Sequence, residues 1–467
     1  FLYHHFTLYH NIGTRLWMMD YKKLSEVTLA HLEKCELTGE SFADYIDYSI
    51  PYERAIRIQG FQSDQLIRET CKILRENGYC TRTGRLDIHI NNIIANILNY
   101  KNRYNVHYFY YPAHKNEYYV PKRYNPLRIT YNPFRASIEG LIEVGFIKRV
   151  KGFYSRKKKK GKRSRLGATK RFLDLIQRHG VKFENVSQEK VELIQLKNND
   201  KKLIDYEDNE FTIKSRKILI KHNKLLKKTK IVLPQIKQVQ DYIETSQDSF
   251  NFSRNNYVRI FNNCSFEQGG RFYGPWWQQI KSRKDNNIRK LITINGNATV
   301  ELDFNAQHIH FLYSKEGLDY YKLHSSNSDP YTLDGFEEHR TFVKMIILIA
   351  LNMKTKITSI PYVIPKLLKD EEFFIKKFKY TDMLRVFSSH HQPITKYICS
   401  GIGIYLQNMD SLLSNYVIKK MTNNKIPILN IHDSFIIEKK YENILRDTMN
   451  KSLRHFKIKS LPRITIK

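Results

Sequence analysis

Apolar positions recur at helical spacing over residues 16–35, 64–78 and 86–102, and these stretches predict helices. A tyrosine-rich segment follows at 104–119; its rings either pack or stack single-stranded bases. Asn132-Pro133 reads as a helix start, and Phe134, Ile138, Leu141 and Ile142 keep helical spacing up to Gly145. A strand at 146–150, a cationic loop at 156–165 and a returning strand at 166–169 come next. Residues 181–247 are polar and charge-rich, with a basic stretch at 214–230 and Pro234 as punctuation. They predict connecting helices that carry a positive face, or plain solvated helix. No internal repeat is visible.

From Asn255 the character changes. Phe-Glu-Gln-Gly-Gly-Arg-Phe-Tyr at 266–273 runs into Gly274-Pro275-Trp276-Trp277. Strand-like runs at 291–294 and 297–303 are joined by Asn295-Gly296, the strongest short hairpin signal. The second run ends on Asp303, and a helix bearing Ile309, Leu312 and Tyr313 follows. Arg340, Lys344, Leu348 and Asn352 recur every four residues and so share one helix face. Near the C-terminus, apolar runs at 426–431 and 435–437 flank His432-Asp433-Ser434, which predicts a tight hairpin with Asp433 at its tip.

Composition narrows the class. Of 467 residues, 79 are Lys or Arg and 46 are Asp or Glu, a formal net charge of +33. With 41% hydrophobic and 13% aromatic residues, the chain is expected to fold and is no disordered basic tail. The excess charge points to a polyanion, nucleic acid before a membrane surface, because no amphipathic anchor stands out. A merely soluble basic protein is the bland alternative. No apolar run approaches the roughly 18 residues of a membrane span. Cys35, Cys71, Cys80, Cys264 and Cys399 form no Cys-x-x-Cys pair. That argues against a zinc cluster and a disulfide framework, and for a reducing, intracellular compartment. The chain opens on Phe1 without a secretory segment, so a fragment or processed product that is not secreted is expected. Abundant Lys, Asn, Ile and Tyr suggest an AT-rich genome, that of an organellar plasmid, a mobile element or a virus. Cytoplasm, nucleoid or mitochondrion is the corresponding place.

Two patterns carry chemistry. Two carboxylates on adjacent strand ends are a donor set for two Mg²⁺ ions about 4 Å apart, which in-line phosphoryl transfer uses. Taken singly, each aspartate is more readily a turn or cap residue. Arg340 and Lys344, one turn apart, would grip a triphosphate, or else pair with Glu337 and Glu338. Helix, strand, cationic hairpin and strand over 121–180 is also the order of a winged helix-turn-helix. There Lys157, Lys158, Lys159, Lys160, Lys162, Arg163 and Arg165 would neutralise phosphates. A disordered basic loop or a localisation patch has the same composition.

In this order the pieces resemble the palm and fingers of family A DNA polymerases and the related single-subunit, phage-type RNA polymerases. Gly269-Gly270-Arg271 looks like the Gly-Arg element that contacts the primer–template duplex. Asn287-Ile288-Arg289-Lys290 is similar to the approach to motif A, whose aspartate matches Asp303. Arg340 and Lys344 match the Arg-x-x-x-Lys of motif B, and Ile431-His432-Asp433-Ser434 matches motif C. Asp329-Pro330-Tyr331 resembles an Asp-Ile-His segment, and Gln407 resembles a glutamine that contacts template or primer. The resemblance spans residues 255–467.

It implies an α+β fold: a right-hand palm on an antiparallel sheet with helical fingers, behind a mainly helical N-terminal region containing the winged-helix-like module. The expected division is 1–120 (no function assigned), 121–180 (winged-helix-like), 181–254 (basic helical connector) and 255–467 (catalytic). The implied function is template-directed nucleotidyl transfer, by a DNA polymerase first and by a single-subunit RNA polymerase or primase second. A catalytically inactive DNA-binding replication initiator or regulator is the further alternative, and an unrelated basic RNA-binding protein leaves the order of motifs unexplained. Asp303, Asp433 and the Phe304 carbonyl would hold two Mg²⁺, or Mn²⁺. Arg340 and Lys344 would bind the nucleoside triphosphate, and His308 and Asn352 would line its sugar. Arg271, Arg289, Gln407 and His432 would face a DNA primer–template, or an RNA template. The family's DNA polymerases have Glu where His308 stands, and both relatives have Tyr where Asn352 stands. Ser434 after Asp433 is the RNA polymerase choice. Sugar preference is therefore left open, and no proofreading exonuclease carboxylates are found upstream.

Overall fold

The structure, a computed structural model, describes residues 49–79, 85–104, 108–155, 160–234, 236–237, 254–280, 287–368 and 375–467. The expected helix at 16–35 and the cations Lys157, Lys158 and Lys159 lie outside the described residues; Lys160 and Lys162 are placed by backbone alone. The chain divides into two units, 1–192 with 246–251 and 193–245 with 252–467.

In the first unit, β1 (Ile50–Pro51), β3 (Phe109–Tyr110), β4 (Ile147–Val150) and β7 (Arg165–Ala168) form a sheet in the order β1-β3-β7-β4. A separate strand, β2 (Ile56–Ile58), pairs with β8 (Val186–Gln188). Helix α1 (Phe61–Glu76) packs on α2 (Leu86–Tyr104), which buries Ile90, Ile93, Ile94 and Ile97. Asn92 and Asn96 are buried beside them and are satisfied: Asn92 Nδ2 donates to Ile56 O (2.7 Å), and Asn96 Oδ1 accepts from Glu53 N (2.8 Å). Helix α3 (Tyr131–Glu143) holds Pro133 in its first turn, where no N–H is needed, and buries Phe134, Ile138 and Leu141. The β4–β7 connection extends into a ribbon of β5 (Phe153–Ser155) and β6 (Lys160–Lys162). Thr169 then caps α4 (Lys170–Arg178). Tyr111 and Tyr118 of the tyrosine-rich segment pack inside, while Tyr119 is exposed.

The second unit begins where a helical connector was expected, yet that stretch also supplies strands β9 (Ile194–Lys197), β10 (Leu203–Ile204) and β11 (Ile231–Val232). Its helix α5 (Glu210–Lys228) starts with a reciprocal cap between Asn209 and Thr212. One sheet runs β10-β9-β12-β13, with β12 (Val258–Asn262) and β13 (Ser265–Tyr273). The other runs β11-β14-β15-β17-β16, built from β14 (Thr293–Ile294), β15 (Asn297–Phe304), β16 (Leu429–Ile431) and β17 (Ser434–Glu438); β18 (Ile464–Ile466) also pairs with β15. The Asn295-Gly296 turn takes positive φ at both residues, 53° and 83°, as a two-residue hairpin requires. Helices α6 (Gln307–Lys315), α7 (Arg340–Asn352), α8 (Ile360–Leu368), α9 (Tyr380–His390), α10 (Gly403–Asn423) and α11 (Glu442–His455) complete an α+β unit. The 21-residue α10 is its spine, packed against β13, α5 and α11. Among the described residues no helix is long and apolar enough to cross a membrane.

Candidate active site

Antiparallel pairing of β15 with β17 sets Asp303 opposite Ser434, so Asp433 in the β16–β17 turn comes beside it. Ile431 pairs with Ser434, which makes that turn two residues long and leaves Ser434 in the strand. His432 takes a left-handed φ of 57°, which costs a non-glycine residue about 1 kcal/mol. Two donors fix it: Ser414 Oγ and Asn430 Nδ2 both reach the His432 carbonyl, at 2.8 and 2.9 Å. Below them, Tyr257 Oη donates to Asn430 O (2.8 Å) and accepts from Trp277 Nε1 (2.7 Å). Trp277 of the Gly-Pro-Trp-Trp segment is thus a buried prop for the Asp433 hairpin. Beyond Asp303, Ala306 with φ 49° turns the chain into α6.

Asp303 is 6% exposed. Its Oδ2 lies 3.0 Å from Lys467 Nζ, while Oδ1 is buried without a hydrogen-bond partner. Burial and the Asp433 charge push its carboxyl well above the usual carboxylate range, against the pull of Lys467 and Lys344. Lys467 directly follows β18, and its N–H donates to Glu301 O (3.0 Å). Glu301 is buried, accepts from Ser434 Oγ (2.7 Å) and forms an ion pair with Arg289 Nη2 (3.0 Å). Arg289, expected on the nucleic-acid face, is 6% exposed and holds the underside of the sheet instead.

Hard oxygen donors on two neighbouring carboxylates and the orphaned Asp303 Oδ1 fit a divalent cation. Among the described residues no group of three His, Cys, Asp or Glu is placed to hold a metal. Further oxygens would therefore come from the Phe304 carbonyl, water or a substrate's phosphates.

Helix α7 presents Thr341, Lys344, Met345, Leu348 and Asn352 to an open groove of about 610 Å³. Lys344 Nζ stands 5.9 Å from the Tyr331 ring centroid, and among the described residues it has no ion-pair partner. Arg340 is already engaged: Nε and Nη2 grip Asp329 at 3.0 and 2.7 Å, and Nη2 also reaches Asn305 Oδ1 at 3.1 Å. Asn352 folds back, donating to Leu348 O (2.7 Å) and lying where any side chain at Gly403 would collide with it.

Gly270 is the extra residue of a bulge between β12 and β13, with φ 82°. Its carbonyl accepts from Arg259 Nε (2.9 Å), a fully buried guanidinium set among Phe211, Phe261 and Phe272. The bulge aims Arg271 at Asp410 on α10, which pairs with Arg271 and with His308 Nε2 (3.0 Å). Asp410 is 1% exposed; burial opposes its charge, but His308 and Arg271 outweigh this and hold its carboxyl at about 2. Gln407 lies one turn earlier on α10, partly buried. The His432 ring meets Tyr273 edge-on at 5.5 Å; burial and Arg271 keep it below the usual histidine pKa.

Pairwise charge interactions thus chain Lys344 and Asp303 through Asp433 to Arg271 and His432, and through Asp410 to His308; Asp410 and Lys467 are members that the sequence reading missed. Asp410 had a signal: it falls on the buried stripe Leu406, Leu413 and Val417. Lys467 had none. In the first unit, Arg163 pairs with Glu117 (2.7 Å), and Arg165 is buried, donating to Arg163 O (2.6 Å).

No protein-family model matches the chain, and no curated protein matches it in sequence. Among solved structures, the POL domain of Pol1 from M. smegmatis, in complex with DNA primer-template and dNTP, is similar over 88% of this chain at 11% identity and a TM-score of 0.33. The chain spans 66% of that chain's length. A likeness of that size implies nothing about activity.

Proposed function

We propose that the second unit is a template-directed nucleotidyltransferase, read first as a DNA polymerase. The observation that carries this is the pairing of β15 with β17, which brings Asp303 and Asp433 to neighbouring strand ends. When bound, two divalent cations held by Asp303, Asp433 and the Phe304 carbonyl supply the Lewis acidity for in-line phosphoryl transfer. Lys344, open on α7, binds the triphosphate by its ammonium. Arg340 fixes the start of α7 to Asp329 and Asn305, and so positions Lys344 relative to Asp303. Arg271 and His308, locked by Asp410, give the primer end and the sugar a rigid polar wall, which lowers the cost of orientation.

The first unit reads as a winged helix-turn-helix. Its order α2, β3, α3, β4, cationic hairpin, β7, with sheet order β3-β7-β4, supports this reading. In this role α3 and the hairpin hold duplex DNA, and the net charge of +33 suits such a partner.

The test is extension of a labelled primer on DNA and RNA templates, with Mg²⁺ or EDTA and with dNTPs and rNTPs offered separately. Extension is expected with Mg²⁺ alone and is lost in Asp303→Asn and Asp433→Asn. Equal signals from wild type and both variants overturn the reading, and the preferred nucleotide decides between DNA and RNA synthesis.

A further inference from the structure

The segment Asp329-Pro330-Tyr331 holds both cations of α7. Asp329 grips the Arg340 guanidinium, and the buried Tyr331 ring has Arg340 Cζ and Lys344 Nζ each 5.9 Å from its centroid. Asp329 Oδ1 also accepts from Tyr331 N (2.9 Å), which ties the two residues together. Pro330 between them has no N–H to anchor. Its carbonyl lies 2.8 Å from His391 Nε2. His391 caps the end of α9, where its N–H donates to Phe387 O (2.8 Å). The ring is fully buried and packs on Phe387, with centroids 4.4 Å apart.

Neighbours assign the proton on this ring. A carbonyl can only accept, so Nε2 carries the hydrogen. Burial keeps the ring neutral, so Nδ1 accepts, from Tyr313 Oη at 3.0 Å. Tyr313 Oη in turn accepts from His324 Nε2 (3.3 Å). Tyr313 therefore fixes the tautomer that reaches Pro330. A neutral donor suits the place, because an ammonium or guanidinium there would compete with Arg340 for the Asp329 carboxylate. We infer that His391 is a positioning residue for Lys344: its Nε2–H sets the segment Asp329-Pro330-Tyr331, and that segment sets the first turns of α7. The inference rests on the reading of Lys344 as the triphosphate's ligand, and adds to it a residue that acts only through Pro330.

The test measures binding of the α,β-imido analogues of the templated dNTP and rNTP to the full chain on a primer–template, by calorimetry with Mg²⁺. His391→Phe keeps the packed ring and removes both nitrogens, and is expected to weaken binding of the better analogue about tenfold. His391→Gln, whose amide N–H can take the place of Nε2, is expected to recover most of that loss. In a Lys344→Ala background His391→Phe is expected to add nothing further. Long-range ¹H–¹⁵N spectra are expected to place the His391 proton on Nε2 in wild type and on both nitrogens in Tyr313→Phe, which should bind about threefold more weakly. Wild-type affinity in His391→Phe, with weak binding in Lys344→Ala, overturns the inference and leaves the Lys344 reading standing. Losses from His391→Phe and Lys344→Ala that add also overturn it, and assign His391 to the stability of the unit. Where His391→Phe fails to fold, mixed tautomers with wild-type affinity in Tyr313→Phe overturn it. Unchanged binding in Lys344→Ala overturns the Lys344 reading, and the inference with it.

Discussion

Lys467 Nζ lies 3.0 Å from Asp303 Oδ2 and 4.0 Å from Glu301 Oε1. The ammonium neutralises the oxygen that a divalent cation would use, so the two compete. Lys467→Met is expected to bind Mn²⁺ about tenfold more tightly by electron paramagnetic resonance. In EDTA it should unfold at a lower temperature than wild type, because the buried carboxylate loses its partner. Lys467→Arg should keep the wild-type behaviour in both assays. An unchanged Mn²⁺ affinity in the methionine variant would show that the ammonium does not occupy the cation's place.

Asp410 is shared by Arg271 and His308, and its removal leaves a mostly buried guanidinium uncompensated. Asp410→Asn should cost about 3 kcal/mol in denaturant unfolding. In the proposed reaction kcat should fall more than KM rises, because orientation is lost while the triphosphate contact remains. The same substitution made on top of His308→Gln should cost less than it does alone, since the pair acts as a unit. Additive costs would mean that the carboxylate serves Arg271 alone.

Gly270 combines a φ of 82° with a site where a Cβ would meet Phe261 Cε1 at 2.4 Å and Ser411 Oγ at 2.8 Å. Gly270→Ala should therefore destabilise the protein by about 2–4 kcal/mol and displace Arg271 from Asp410. Gly296 has a similar φ of 83° but open space around it, so Gly296→Ala should cost less. Denaturant midpoints of the two variants test the order, and a reversed order would show that crowding at the bulge is relieved.

Burial holds His222 and His391 at about 3 and His310 at about 4, against about 6.5 in the unfolded chain. Between those values the unfolded chain binds protons that the native state refuses, so stability rises with pH there. Below about pH 6.5 each histidine should remove about 2 kcal/mol by pH 5, offset in part by Asp303, whose raised carboxyl takes up a proton in the native state over the same range. Thermal midpoints over that range check this. A profile in Asp303→Asn that is still flat would mean that these rings find proton acceptors in the native state.

Local rules made part of this protein legible in its sequence. Asn295-Gly296 needs positive φ at both positions, and any chain with apolar runs on each side closes there. The spacing of Arg340, Lys344, Leu348 and Asn352 obliges them to share a face of α7. Such statements depend on neighbours a few residues apart. The fate of each charge does not. Arg289 and Arg340 have the same chemistry, yet one is buried on Glu301 and the other half-open on Asp329. Arg271 meets Asp410 across 139 residues, and Lys467 reaches Asp303 only because β18 pairs with β15. A carboxylate's partner, and so its charge and its use, is set by what the folded sheet and α10 bring within about 3 Å. That distance is a property of the tertiary structure alone.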